Sequence, residues 1–276
     1  MLNKFFIEDH VKKALQEDIG FGDVTTDYLT TEDDFMSCFL NTRSDGILSG
    51  REVFETVFKI LSDKIDVKFY FKDGDIIKKG DQIAEINGPA RYILMGERTA
   101  LNYIQRMSGI ATETNKYQKA IGDLKAKIAD TRKTTPCFRA FEKYSVKVGG
   151  GALHRFNLSD CAMIKDNHIK FSGSLTNAVT RLKQNLSHAH KIEAECDTKE
   201  QVIEALACGV DIIMLDNMSL LQMKECVDII NGRAITEASG NVTLDTVRKI
   251  AETGVDIISS SAIVAKAPTL DLGLDM

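Results

Sequence analysis

Between Arg132 and Lys170 the sequence places eight Lys/Arg against three Asp/Glu, a local +5 in a chain whose net charge is −5. A small cationic island in an acidic protein suits a compact anion better than a long polyanion. Its members are Arg132, Lys133, His154, Arg155 and Lys165. Arginine forks grip carboxylate and phosphate through paired hydrogen bonds, and lysine acts as a point charge. Further along, Glu195 and Asp216 are spaced as oxygen donors for Mg²⁺, which is commonly held by one or two carboxylates together with substrate phosphates. They also suit a general acid/base pair, or a salt bridge to Lys165. Last come Ser239-Gly240-Asn241 and Ser259-Ser260-Ser261, small polar runs whose backbone N–H groups can cradle a phosphate. Ser-Gly-Asn is equally a turn with a helix cap. Acid-binding cations, a Mg²⁺ site and a phosphate cradle together describe joining an organic acid to a phosphorylated sugar with a Mg²⁺-bound leaving group.

The elements that must position these groups follow from periodicity. Residues 5–18 place Ile7, Val11 and Leu15 at helical spacing, and short strands are expected at Phe35-Leu40, Val67-Phe71 and Gln82-Ile86. The last two flank Lys72-Asp73-Gly74-Asp75 and Lys79-Gly80-Asp81. These Gly-Asp turns resemble those of biotinyl and lipoyl carrier domains, without a modification lysine, and are read as structural. Helix is expected from Glu97 to about Ile121, with Arg98, Asn102 and Gln105 on a polar face. Beyond it, apolar strands at Lys127-Ala129, Ala162-Ile164, Ile192-Ala194, Ile212-Leu215, Ala234-Ile235 and Asp256-Ile258 alternate with helices. The helices are expected at Leu175-Leu186, Lys199-Cys208, Leu220-Ile230 and Leu244-Thr253. Each strand leads into polar residues: Arg132-Lys133, Lys165, Glu195, Asp216-Asn217, Glu237 with Ser239-Gly240, and Ser259-Ser261. Successive strand ends bearing chemistry are the layout of a (β/α) barrel mouth. An open doubly wound sheet gathers its ligand at one switch point, and no Gly-rich dinucleotide or P-loop fingerprint is present. The expected division is an N-terminal α/β domain over 1–104 and an α/β barrel over 105–265, with the tail 266–276 packing back on the first.

At 276 residues and 43% hydrophobic content the chain can bury two domain cores. No signal peptide or apolar membrane span is legible, and the six cysteines are scattered without a Cys-x-x-Cys pair. A cytoplasmic enzyme with reduced thiols is expected, with neither membrane nor nucleic acid as partner.

Several stretches resemble one family. They are Glu97-Arg98-Thr99-Ala100-Leu101-Asn102, Ser108-Gly109-Ile110-Ala111-Thr112, Thr131-Arg132-Lys133-Thr134-Thr135-Pro136, Gly149-Gly150-Gly151 and His154-Arg155. Lys165-Asp166-Asn167-His168, Leu215-Asp216-Asn217 and Glu237-Ala238-Ser239-Gly240 continue them. In this order they resemble the quinolinate phosphoribosyltransferases, over nearly the whole chain. The resemblance implies an N-terminal α/β sandwich and an incomplete α/β barrel of the type II phosphoribosyltransferase kind. It implies quinolinate and phosphoribosyl pyrophosphate as substrates, Mg²⁺ as cofactor, and nicotinate mononucleotide, pyrophosphate and CO₂ as products, a step of NAD biosynthesis. It implies a homodimer, or a hexamer of dimers, with Arg98 entering the partner's site.

Carried over by residue, the resemblance implies that Arg132, His154, Arg155 and Lys165 hold the quinolinate carboxylates, with Lys133 reaching quinolinate or pyrophosphate. Glu195 and Asp216 would hold Mg²⁺-pyrophosphate and ribose, and Ser239, Gly240, Ser260 and Ser261 the 5′-phosphate. Lys133, Lys165, Glu195 and Asp216 are its expected catalytic set. Cys137 and Ser261 stand where many members have glycine, the first expected to be a harmless turn change and the second to alter the phosphate cradle. The alternatives are a homologous transferase for another acid, such as the molybdenum-transport-associated relatives, and a non-catalytic anion-binding barrel.

Overall fold

The computed structural model of the chain describes residues 2–276; Met1, the first residue of the expected N-terminal domain, lies outside them. Two compact units are present. The first comprises the chain up to Asn115 with Pro136–Gly150 and Ala267–Met276, and the second comprises Lys116–Thr135 and Gly151–Lys266. The expected boundary at 104/105 falls inside a continuous helix.

The first unit begins with α1 (Lys4–Ile19), started by the Asn3 side chain accepting the Phe5 N–H at 2.9 Å and ended at Gly20, φ 56°. Its Ile7, Val11 and Leu15 are buried, as their i, i+4, i+8 spacing requires. After α2 (Thr26–Leu29) come β1 (Phe35–Thr42), β2 (Gly46–Ile47), α3 (Arg51–Leu61), β3 (Asp66–Phe69), β4 (Ile76–Ile77), β5 (Gln82–Pro89) and α4 (Ala90–Ile121). In the Gly-Asp turns Gly74 and Gly80 take φ 96° and 94°. The Asp75 and Asp81 carboxylates close them by accepting the N–H groups of Lys72 and Lys78 at 2.7 and 2.8 Å. The 32-residue α4 starts seven residues before the expected Glu97, because Ala90 and Ile93 already belong to its buried stripe.

The charged stretch after Pro136 conceals α5 (Arg139–Val148), which the sequence reading missed. It belongs to the first unit and buries Phe141 and Val146. The Phe141 ring packs 5.5 Å from Tyr103 and 4.8 Å from His10, a cluster of edge contacts at the core. Cys137, just ahead of it, holds φ 62°. The harmless turn change is therefore a strained one, since a Cβ in the left-handed region costs on the order of 1–2 kcal/mol. At the far end β12 (Leu272–Asp275) pairs antiparallel with β1, giving a sheet of order β12-β1-β5-β3.

The second unit is built from βα repeats: β6 (Lys127–Ala129), β7 (Ala162–Ile164), α6 (Asp166–Ser172), α7 (Leu175–Asn185), β8 (Ile192–Cys196), α8 (Lys199–Cys208), β9 (Ile212–Asp216), α9 (Leu220–Ile230), β10 (Ile235–Ser239), α10 (Val247–Ala251), β11 (Ile257–Ser259) and α11 (Ala262–Ala265). All pairings are parallel, in the order β6-β11-β10-β9-β8-β7. Among the described residues β6 and β7 do not pair with each other, so the α/β barrel is incomplete. Thr198 and Ser219 cap α8 and α9, each accepting a backbone N–H three residues on while a glutamine returns the bond.

Two expectations need correction. The strand expected at Ala234-Ile235 runs over Ile235–Ser239, so Glu237 lies inside β10 and is buried rather than following a strand end. The helix expected from Leu244, opening near Thr243, starts only at Val247 and spans five residues. The side chain of Thr246 accepts the Thr243 N–H at 2.9 Å and makes a turn there. Among the described residues the helices that follow β10 and β11 are short, α10 with five residues and α11 with four.

Candidate active site

Strand periodicity explains how the second unit presents its polar groups. Side chains at i and i+2 share a face. One face of β8 therefore carries Glu193 and Glu195, that of β9 Met214 and Asp216, and that of β10 Glu237 and Ser239. In each pair the later residue reaches the carboxyl end. These ends open on one cavity of about 730 Å³, large enough for a small polar substrate pair. Its lining includes Arg132, Lys133, His154, Arg155, Lys165, Glu195, Asp216, Ser239, Gly240, Ser260 and Ser261. The remaining expected site residue, Arg98, lies exposed on α4 of the first unit.

The cationic wall comes from β6, β7 and the segment between them. The Lys133 N–H donates to Thr131 Oγ1 at 3.0 Å, which folds the chain back directly after β6. Arg155 is tethered by a 2.8 Å hydrogen bond from its guanidinium to the Cys161 carbonyl. Lys165 follows β7 directly and is ion-paired with Glu195. Its backbone N–H donates to His168 Nδ1 at 3.0 Å, so His168 shapes the turn into α6 instead of facing a ligand. Exposed cations elsewhere in the island pair locally, as Lys170 does with Asp166 at 3.3 Å. Of the island's members on the cavity, Arg132, Lys133 and Lys165 follow strands, and His154 and Arg155 lie in the segment that leads to β7.

Across the mouth, Asp216 and Ser239 are register partners on β9 and β10. The Asp216 carboxylate accepts from Asn217 Nδ2 at 2.7 Å, and the Asn217 N–H donates to the Ser239 carbonyl at 3.0 Å. Gly240 closes this lacing at φ 97°, where a Cβ would lie 2.2 Å from Asn217 Oδ1. Only glycine fits there. Ser261 adopts an ordinary φ of −72° and begins α11, so serine in place of glycine imposes no backbone strain. Asp216, with its oxygen donors at an open rim, fits a hard divalent cation that keeps water and phosphate ligands. Glu195 fits it less directly, because part of its charge is committed to Lys165.

Beneath the mouth lies a buried acidic layer; the sequence reading placed Glu237 at a strand end and did not find Glu193. Asp130, Glu193 and Glu237 are at most 4% exposed. Asp130 Oδ1 accepts the His154 N–H at 2.8 Å. His154 Nε2 stands 3.3 Å from Glu193 and 3.5 Å from Glu237. Burial, reinforced by the Glu193 charge and opposed by His154, pushes the Glu237 carboxyl up to about 7. His154, Glu193 and Glu237 also offer ligand atoms within 4.8 Å of one another. Glu193 and the inward side of Glu237 could have been found from their i, i+2 relation to Glu195 and Ser239.

A family model described as quinolinate phosphoribosyl transferase, N-terminal domain, matches residues 23–108, and its C-terminal domain counterpart matches residues 110–275. A Bacillus subtilis protein named probable nicotinate-nucleotide pyrophosphorylase [carboxylating] is 40% identical over 278 residues, covering 100% of this chain and 92% of its own length. A plant protein from Arabidopsis thaliana named nicotinate-nucleotide pyrophosphorylase [carboxylating], chloroplastic, is 40% identical over 96% of this chain and 81% of its own. The solved structure of NadC from Streptococcus pyogenes superposes with a TM-score of 0.97 at 40% identity, covering 100% of this chain and 98% of that one. Two consecutive domain models and full-length relatives of the same name place one statement beyond the fold: the chain belongs to the quinolinate phosphoribosyl transferase family.

Proposed function

We propose that the chain transfers phosphoribose from phosphoribosyl pyrophosphate to quinolinate, with decarboxylation to nicotinate mononucleotide, a step of NAD biosynthesis. The observation that carries this is the composition of one cavity. Arg132, Lys133, Arg155 and Lys165 follow β6 and β7 or lie between them, Glu195 and Asp216 come from β8 and β9, and Ser239-Gly240 and Ser260-Ser261 from the ends of β10 and β11. A dicarboxylate, a pyrophosphate and a sugar phosphate are the anions that such a cavity separates.

In this reading Arg132, Arg155 and Lys165 hold the two carboxylates, with His154 at the base of that wall. The arginine forks fix the ring so that its nitrogen faces C1 of the ribose, and positioning supplies much of the rate. The N–C1 bond forms as the C1–O bond to pyrophosphate breaks. Lys133 stabilises the charge that collects on the departing oxygens. The quaternised ring then takes up the electron pair of the adjacent C–carboxylate bond as CO₂ leaves, and a proton fills the vacated carbon. Glu195 and Asp216 would hold Mg²⁺, largely through water and substrate. Mg²⁺, when bound, offsets the pyrophosphate charge. No covalent enzyme nucleophile is required.

We place the enzyme as a homodimer, or an assembly of dimers, in which Arg98 enters the partner's cavity; its exposure on α4 beside exposed Asn102 supports this. Six free cysteines, one of them exposed, support a reducing, cytoplasmic compartment. Among the described residues no helix is long and apolar enough to cross a membrane.

Asp216→Ala separates the transferase from an anion-binding barrel. Turnover falls at least about 100-fold, the scale of one lost electrostatic contact in a transition state, while calorimetry shows quinolinate still bound. A variant that turns over normally contradicts the assignment.

A further inference from the structure

The expected cationic side chains that line the cavity all come from the ends of β6 and β7 and the segment joining them. The rim at the ends of β10 and β11, Ser239-Gly240-Asn241 and Ser259-Ser260-Ser261, offers hydroxyls, an amide and backbone N–H groups but no charge of its own, with β11 paired to β6. A sugar 5′-phosphate carries close to two negative charges at neutral pH, and neutral donors alone leave most of that uncompensated. One further cationic residue lines the cavity and has no place in the functional reading so far. Lys266 follows α11 directly, and its N–H donates to the Ala262 carbonyl at 3.1 Å. It is thus fixed to the same short segment as Ser260 and Ser261. Its side chain is exposed, and among the described residues no carboxylate pairs with it. Lys165, by contrast, is already ion-paired with Glu195.

We propose that Lys266 is a substrate-binding residue whose ammonium neutralises the 5′-phosphate of the phosphoribosyl substrate and of the mononucleotide product. The inference rests on phosphoribosyl transfer as the reaction and adds to its phosphate subsite a cation from the same segment as Ser260 and Ser261. The residue acts as a point charge on a flexible stem, which suits a phosphate that must enter and leave at every turnover. Binding of this kind is the same in ground and transition states, so it sets affinity more than kcat.

The test uses a pair of ligands that differ only in the phosphate, nicotinate mononucleotide and nicotinate riboside, titrated calorimetrically into wild type, Lys266→Ala and Lys266→Arg. The expected result is mononucleotide affinity weakened about tenfold in Lys266→Ala, the value of one charge-assisted contact at an open rim. Riboside affinity stays unchanged, and Lys266→Arg recovers most of the loss. In turnover, Lys266→Ala raises the KM for phosphoribosyl pyrophosphate by a similar factor with kcat and the quinolinate KM preserved. An unchanged mononucleotide affinity in Lys266→Ala overturns the inference, as does an equal loss for both ligands. So does a wild type that binds the mononucleotide no tighter than the riboside. Quinolinate turnover by wild type is read separately. Its absence beside a Lys266-dependent phosphate preference sinks the reaction and keeps the subsite.

Discussion

Glu237 and Glu193 show how a residue hidden in a strand shapes a site it does not line. With Asp130 they put three buried carboxylates around one histidine, more negative charge than His154 alone offsets. Glu237 answers by holding its proton: its carboxyl rises from 4.5 to about 7. Between those values the native state binds a proton that the unfolded chain has released, so stability falls as pH rises from about 4.5 through about 7. Above that range the buried charge costs up to about 3 kcal/mol. Glu237→Gln carries no such charge. Its melting temperature relative to wild type should therefore improve between about pH 5 and about pH 8.5; a difference that does not move with pH counts against the buried-proton picture. Sequence reading found the residues that follow strands, because an apolar run ending in Arg132, Lys165 or Asp216 is visible on inspection. It missed Glu193 and Lys266 for opposite reasons. Glu193 sits within an apolar strand, and Lys266 follows a helix.

At the scale of elements, the mouth is held by the lacing of β9 to β10. Asn217 and Asn241 both take positive φ, and Asn241 Nδ2 donates to Asn217 Oδ1 at 3.3 Å. Gly240 passes so close to Asn217 that any Cβ displaces the amide and with it the Asp216 carboxylate. Gly240→Ala should lower kcat/KM for phosphoribosyl pyrophosphate by at least about tenfold and destabilise the fold by about 1–2 kcal/mol. Wild-type kinetics and melting in this variant would show that the close approach is dispensable. The Ser239-Gly240-Asn241 run was legible as either a turn or a phosphate cradle, and the structure makes it a turn that lines the cavity. The missing helix N-terminus near Thr243 was not legible, because the Thr246 hydroxyl that satisfies the Thr243 N–H competes with helix initiation through a local bond. Likewise α5 was hidden by its own charges. Of its large apolar residues only Phe141 and Val146 are fully buried among the described residues.

At the scale of the whole molecule, the order of strands was legible because βα repeats force parallel pairing. The path of the chain between units was not. Pro136–Gly150 belongs to the first unit although it lies between two strands of the second, and nothing in its spacing announces that return. The cavity gathers every expected site residue except Arg98. In the proposed dimer, mixing Arg98→Ala with Lys165→Ala yields hybrids holding one site free of both substitutions. Activity should return toward about one quarter of wild type after subunit exchange, the share for random mixing with one intact site per hybrid. No recovery despite demonstrated exchange would remove Arg98 from the partner's site. The central claim is the reaction itself. It is tested most directly by incubating the protein with Mg²⁺, phosphoribosyl pyrophosphate and quinolinate labelled in the carboxylate next to the ring nitrogen. Labelled CO₂ should be released in step with nicotinate mononucleotide, and only when phosphoribosyl pyrophosphate is present. Mononucleotide formed from nicotinate, with no CO₂ from quinolinate, would contradict it.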